Sequence, residues 1–264
     1  MSTRAFPMAV WPFVLLATLS ACTMIDADGK QAKQSAKMAQ AAADRGGAAL
    51  RLARAARDVR DYPAAIDLYK SAVSANPTDT DTIVELGLAQ LEAGQIAEAV
   101  TAFQSVPANS KGQLNALLGL ERASLMQSQH AKGLEYADQA VALNGRSNAA
   151  LVGRGVALDL LSRHHDAQAA YRAALAIAPD DIPARSDLAL SLAVIGGYDE
   201  AIAIMTPIAR APTATPRLRQ TLALIYGLKG DSAMARGLSR MDLDTPTTED
   251  NLKFFAMVRA RNVR

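Results

Sequence analysis

From residue 46 the chain repeats itself every 34 residues, without an insertion, through six windows that start at 46, 80, 114, 148, 182 and 216. The eighth position of each window reads Ala53, Gly87, Glu121, Gly155, Ala189 and Ala223. The twentieth reads Ala65, Ala99, Gly133, Ala167, Ala201 and Ala235, and the seventh reads Leu52, Leu86, Leu120, Arg154, Leu188 and Leu222. Small residues at two fixed points per period require two helices whose backbones meet closely. Large residues at position twenty-four, Tyr69, Phe103, Tyr171 and Met205, fill the space between such pairs. Pro77 and Pro179 at position thirty-two end the second helix, because proline disfavours helical geometry in the residue before it. Gly94, Gly196 and Gly230 at position fifteen break the turn between helices. Composition fits, since alanine is abundant and aromatics make up only 5%. Alanine has the best helix propensity and lets neighbouring backbones approach. The expected class is all-α.

A period of 34 with these columns resembles the tetratricopeptide repeat. The resemblance covers 46–249 and implies a superhelix of about six helix–turn–helix repeats, followed by a C-terminal capping helix at 250–264. Window three departs from the pattern, with Glu121 for a small residue, Ala137 for an aromatic and Gly145 for proline. It reads as looser packing or a bend. Window six ends in Ser239 and Asp242, polar where its neighbours are apolar. Beyond it, TTEDNLKFFAMVRARN (247–262) reads as a final helix. Thr248 is its expected N-cap, and Leu252, Phe254, Phe255 and Val258 its buried stripe, with a basic end that suits the helix dipole. A stacked array needs such a cap to cover its last apolar side.

The N-terminal segment has a different logic. One charged side chain, Arg4, precedes an apolar stretch from Ala5 to Leu19, too short to span a bilayer comfortably. Small residues then lead to Cys22, the only cysteine. That is the layout of a secretory signal peptide. Leu19-Ser20-Ala21-Cys22 resembles the lipobox of bacterial lipoproteins, which implies a signal peptide over 1–21 and lipidation of Cys22 as the mature N-terminus. An ordinary cleaved signal and a short uncleaved anchor are the other readings of the same residues. Two or more acyl chains hold a protein stably where one does so only marginally. Thr23 in place of Asp implies, by the same resemblance, the outer membrane. Residues 22–45, polar and Ala-rich without a complete apolar face, read as a lipidated tether, partly helical or disordered.

Chemistry that would indicate an enzyme is sparse. No HExxH, glycine-rich phosphate loop or CxxC pair occurs. His130 and His164 share position seventeen with Tyr62, Ile96, Tyr198 and Ser232, a packing column at the start of the second helix, so they read as structural rather than metal ligands. A net charge of +2 without a Lys/Arg cluster argues against nucleic acid. No catalytic residue, metal or cofactor is expected.

A protein partner is expected instead. In tetratricopeptide arrays the first helices line a concave face, to which positions five and nine would contribute Leu50, Arg54, Val84, Leu88, Leu118, Arg122, Val152, Val156, Leu190 and Leu224. Contiguous exposed apolar side chains mark protein-binding surfaces, and an amphipathic helix or extended segment could lie along them. The same residues could instead pack neighbouring first helices together. Position nine holds no Asn, so the clamp that chaperone-tail-binding repeats use for a terminal carboxylate is missing. Finally, lipobox, tether, repeats and the ending RQTLALIYGLKGD, AR, MDL and NLKFFAMVR (within 218–259) together resemble the TadD family of tight-adherence (Flp) pilus assembly lipoproteins. That resemblance implies a pilotin-like assembly factor for an outer-membrane secretin, lipid-anchored and facing the periplasm. A generic envelope scaffold, serving outer-membrane protein insertion or cell-wall enzymes, is the alternative.

Overall fold

The structure is a computed structural model that describes residues 19–262. Most of the expected signal peptide (residues 1–18) and the side chain of Cys22 lie outside the described residues. Every regular element among the described residues is a helix. The chain divides after Thr78 into two compact units.

The first unit is a helical hairpin of α1 (Leu19–Asp58) and α2 (Tyr62–Ala75). Helix α1 runs unbroken through the expected tether, so 22–45 is helical throughout. Alanine, glutamine and lysine sustain a helix there without an apolar face. At 1.5 Å per residue α1 is about 60 Å long. Its C-terminal part packs on α2, where a Cβ on Gly46 would meet Ala75 Cβ at 2.7 Å. Ala53, Ala65 and Tyr69 are fully buried. Asp61 caps α2 by accepting from the Ala64 amide at 3.2 Å. Leu52 departs from its column and faces solvent.

The second unit contains five further hairpins: α3 (Thr80–Glu92) with α4 (Ile96–Gln104), α5 (Gln113–Met126) with α6 (His130–Leu143), α7 (Asn148–Leu160) with α8 (His164–Ile177), α9 (Ile182–Val194) with α10 (Tyr198–Ala209), and α11 (Pro216–Lys229) with α12 (Ser232–Ser239). Helix α13 (Thr245–Asn262) packs on α11 and α12. The first helices touch in sequence from α3 through α5, α7, α9 and α11. Each second helix among α4, α6, α8 and α10 also packs against the first helix of the next hairpin.

Position fifteen is the sharpest regularity. Gly94, Gly196 and Gly230 adopt φ of 77°, 87° and 98°, and Arg60, Ser128 and Ser162 adopt 63°, 59° and 59° in the other three windows. All six turns therefore pass through the left-handed region, which costs an L-residue roughly 1–2 kcal/mol and glycine nothing comparable. Ser128→Gly and Ser162→Gly should each stabilise the fold by about 0.5–1 kcal/mol, read as a rise in melting temperature. Unchanged or lowered melting would refute this account of the turn. A Cβ at Gly94 would meet no atom within 4 Å. Gly94→Ala therefore isolates the backbone cost.

Between hairpins the core is built from a ring and the glycines beneath it. A Cβ on Gly87 would sit 2.5 Å from the Phe103 ring. One on Gly119 would collide with the same ring, and one on Gly155 with that of Tyr171. Window three inverts this arrangement and is not loosened: α5 and α6 are full-length helices of 14 residues each. The long side chain comes from position eight, Glu121, and the small one from position twenty-four, Ala137. The short second helices are those of windows two and six, α4 with nine residues and α12 with eight.

The last repeat is completed from outside its own window. Ala223 and Ser239 are both small, and the Phe255 ring of α13 fills the space that a Cβ on Gly227 would need. Two expectations for α13 are corrected. Its N-cap is Asp244, which accepts from the Thr247 amide at 2.9 Å, while Thr248 is buried inside the first turns. Phe254 faces solvent at 52% exposure, leaving Phe255 as the anchor. The polar end of window six also has a structural role. Arg219 Nε donates to Asp242 Oδ2 at 2.9 Å and Gln220 Nε2 to the same oxygen at 3.2 Å. The Arg219 guanidinium holds the Asp242 carboxyl below the usual carboxylate range. Arg236 and Glu249, 2.9 Å apart, tie α12 to α13.

Candidate functional site

On α5, α7 and α9, positions five, nine and thirteen repeat in register, and residues four apart share a helix face. Position five supplies Leu118, Val152 and Ser186, and position nine supplies Arg122, Val156 and Leu190. Position thirteen supplies Met126, Leu160 and Val194. Leu118, Val152, Val156 and Leu190 are half-buried. Val152 and Val156 lean on the core shared by α7 to α11, and Leu118 on a smaller cluster of Leu117, Ala140 and Ala150. Met126, Leu160 and Val194 are each 46% exposed. The result is a largely apolar panel across three touching helices, interrupted by Ser186 and exposed Arg122, with its inner edge packed and outer edge wet.

The other expected face residues divide. Leu224 on α11 and Leu88 on α3 are half-buried, and Arg122 is exposed. In the first unit Leu50 is half-buried and Arg54 exposed. Val84 is a correction: it is 4% exposed and belongs to the core. At this end α5 closes on α3, with the Gly112 amide donating to Thr80 Oγ1 at 3.1 Å. The row at position thirteen was available to sequence reasoning, since it has the same period and lies four residues beyond position nine.

Glu121 lies beside this panel at 7% exposure. Its carboxylate would be 3.2 Å from a Cβ on Gly153, the half-buried glycine at position six of α7's window. One repeat earlier the same three positions hold Gly87, Phe103 and Gly119, so the carboxylate takes the space of an aromatic ring. Burial pushes its pKa up to about 7 from an ordinary 4.5, against the opposing field of Arg122. Among the described residues Glu121 accepts no hydrogen bond and joins no ion pair. A buried carboxylate without partners is uncommon.

Two tetratricopeptide-repeat family models match the chain, one over residues 56–122 and one over 122–182. The fold is a tetratricopeptide-repeat array. Among solved structures, a thermophilic tetratricopeptide-repeat protein of Thermus thermophilus is 25% identical with a TM-score of 0.59, covering 68% of this chain and 98% of its own. A chain of the APC/C hetero-tetramer Cut9–Hcn1 reaches a TM-score of 0.68 at 16% identity, covering 84% of this chain and 46% of its own. YrrB, described as a tetratricopeptide-repeat protein with an unusual peptide-binding site, matches with a TM-score of 0.50 at 13% identity over 73% of this chain and 96% of its own. No curated protein matches the chain.

Within the tetratricopeptide array, the histidine at the start of α8 is explained by packing. His164 Nδ1 lies 2.8 Å from Asp159 Oδ1. Asp159 also accepts from Tyr171 Oη at 3.0 Å and from Ser191 Oγ at 2.8 Å, and so joins α7, α8 and α9. Burial, with the Asp159 charge, pushes the Tyr171 phenol up. Burial likewise raises the neighbouring Asp187, with Arg217 opposing. No repeat column marks Asp159 as this hub, because position twelve reads Arg57, Leu91, Leu125, Asp159, Ala193 and Gly227. Among the described residues no group of three or more His, Cys, Asp or Glu could hold a metal ion. No helix among them is long and apolar enough to cross a membrane. Tetratricopeptide arrays are protein-interaction scaffolds, and the apolar panel is the surface here that suits that role.

Proposed function

We propose that this tetratricopeptide-repeat chain is a lipid-anchored adaptor that holds a segment of a protein partner against the panel on α5, α7 and α9. The observation that carries it is the exposed row Met126, Leu160 and Val194 beside half-buried Val156 and Leu190. Apolar residues at one repeat spacing across adjacent helices form a continuous patch, and such patches serve as binding sites. An apolar helix face or extended segment fits a surface of this kind.

The partner is the secretin of a tight-adherence pilus system, and the place of work is the periplasmic face of the outer membrane. Support comes from the lipobox ending at Cys22 together with the family-like ending within 218–259. Acyl chains on Cys22 would confine adaptor and secretin to one membrane, raising their effective concentration without any further contact.

Two variants in cells test this. Leu160→Asp and Val194→Asp alter exposed positions, where fold stability should change by no more than about 0.5 kcal/mol. Each should weaken secretin capture about tenfold or more if it lies at the centre of the contact. Secretin multimers and surface pili should fall with it, and Cys22→Ser should lose both while leaving the repeats folded. Normal piliation with Cys22→Ser at native abundance would sink the anchored-adaptor reading. Capture of insertion machinery or wall enzymes, in place of a secretin, would point to the generic scaffold.

A further inference from the structure

We propose that Glu121 is the specificity element of this face: it receives a lysine or arginine side chain of the bound segment, whose apolar residues lie on the panel. This rests on the panel being the docking face and goes beyond it, because it fixes the partner's chemistry at one point. Three features support it. Glu121 is 7% exposed as a residue, yet among the described residues its carboxylate has neither hydrogen bond nor ion pair. A buried carboxylate needs either a proton or a cation. No cation among the described residues pairs with it: Arg122, next in sequence, acts only through its field and is exposed, and Arg154 of α7 is engaged by Asp138 of α6 at 2.6 Å.

The α7 side of the carboxylate carries no side chain. The residue facing the carboxylate on α7 is Gly153, which has no side chain to close over it. Leu118 lies one turn before Glu121 on α5, and Val152 and Val156 flank Gly153 on α7. A lysine or arginine stem could run along these aliphatic side chains while its charged head reached the carboxylate, in the manner of long cationic side chains elsewhere. Desolvation at 7% exposure would strengthen a direct ion pair relative to one on the surface. Discrimination would come from the ion pair itself, since a partner without the cation leaves the acid to its proton and a neutral apolar residue gains nothing there.

The test is a selection from a displayed random dodecapeptide library, run on the full-length protein in detergent. It is repeated on Glu121→Gln and on Leu160→Asp. Peptides recovered on the native protein should be apolar with a lysine or arginine at one fixed register. Synthetic versions with norleucine at that register should bind about tenfold more weakly or worse. On Glu121→Gln the basic enrichment and the norleucine penalty should both disappear, with apolar enrichment retained. Apolar peptides without a basic register on the native protein would overturn the role of Glu121 and leave the docking face standing. Equal basic enrichment on Glu121→Gln would overturn it in the same way. Peptides indifferent to Leu160→Asp would remove the docking face, and this proposal with it.

Discussion

Phe103→Ala should be among the most damaging single substitutions in the chain, costing about 3–5 kcal/mol in urea unfolding. The ring is 1% exposed and lies between Gly87 of its own hairpin and Gly119 of the next. Its loss would open a cavity at the junction of two hairpins, and a stacked array draws much of its stability from such junctions. Gly119→Ala should also destabilise, by about 1–3 kcal/mol, because the added methyl would collide with the ring. Combined, the two should not add. With the ring gone the methyl has room, and alanine in a helix is about 1 kcal/mol better than glycine. Gly119→Ala should therefore become neutral or stabilising in the Phe103→Ala background, giving a coupling of about 2 kcal/mol or more. Additive losses would mean that the ring does not hold those two backbones apart.

This junction also shows what was legible in the sequence. Helices begin at 80, 148, 182 and 216, where the windows begin, and at 113, one residue before the third. The period carried this because small and large residues alternate at fixed offsets, and no other spacing keeps the columns aligned. The left-handed turn was visible in three windows as glycine and hidden in three others, where Arg60, Ser128 and Ser162 adopt the same conformation. Glu121 was visible only as an outlier. A column read by itself gives an acid in a small site, while the pair of positions eight and twenty-four gives a swap of volumes with Ala137. Helix α1 was obscured because a helix lacking an apolar face resembles a polar tether by periodicity. At α13 the expectation of Thr248 as the N-cap missed Asp244, four residues earlier. Asp244 places Pro246 in the first turn, where its missing amide costs nothing.

Glu121→Gln should stabilise the protein at pH 8 and change little at pH 5. The folded-state carboxyl, pushed up to about 7 by burial, lies above the 4.5 of an exposed glutamate. Between those values the folded chain keeps a proton that the unfolded chain has released, so stability falls as pH rises. The contribution of the neutral acid is complete below about pH 4.5 and is lost progressively up to and through pH 7. A displacement of this size corresponds to on the order of 3 kcal/mol between the two limits. A neutral amide of nearly the same shape carries none of that dependence. Above about pH 7 the variant should therefore melt about 5–10 °C higher than the native chain, with the difference vanishing towards about pH 5. A variant–native difference that stays flat across this range would show that Glu121 is ionised at ordinary pH in the folded chain. The expected gain bears on function as well. An acid that costs stability in the free protein at pH 8 would recover that cost on meeting a cation, whereas glutamine could not. The same substitution should thus raise melting and erase the basic register among bound peptides. A mere packing defect at window three would produce the first effect without the second.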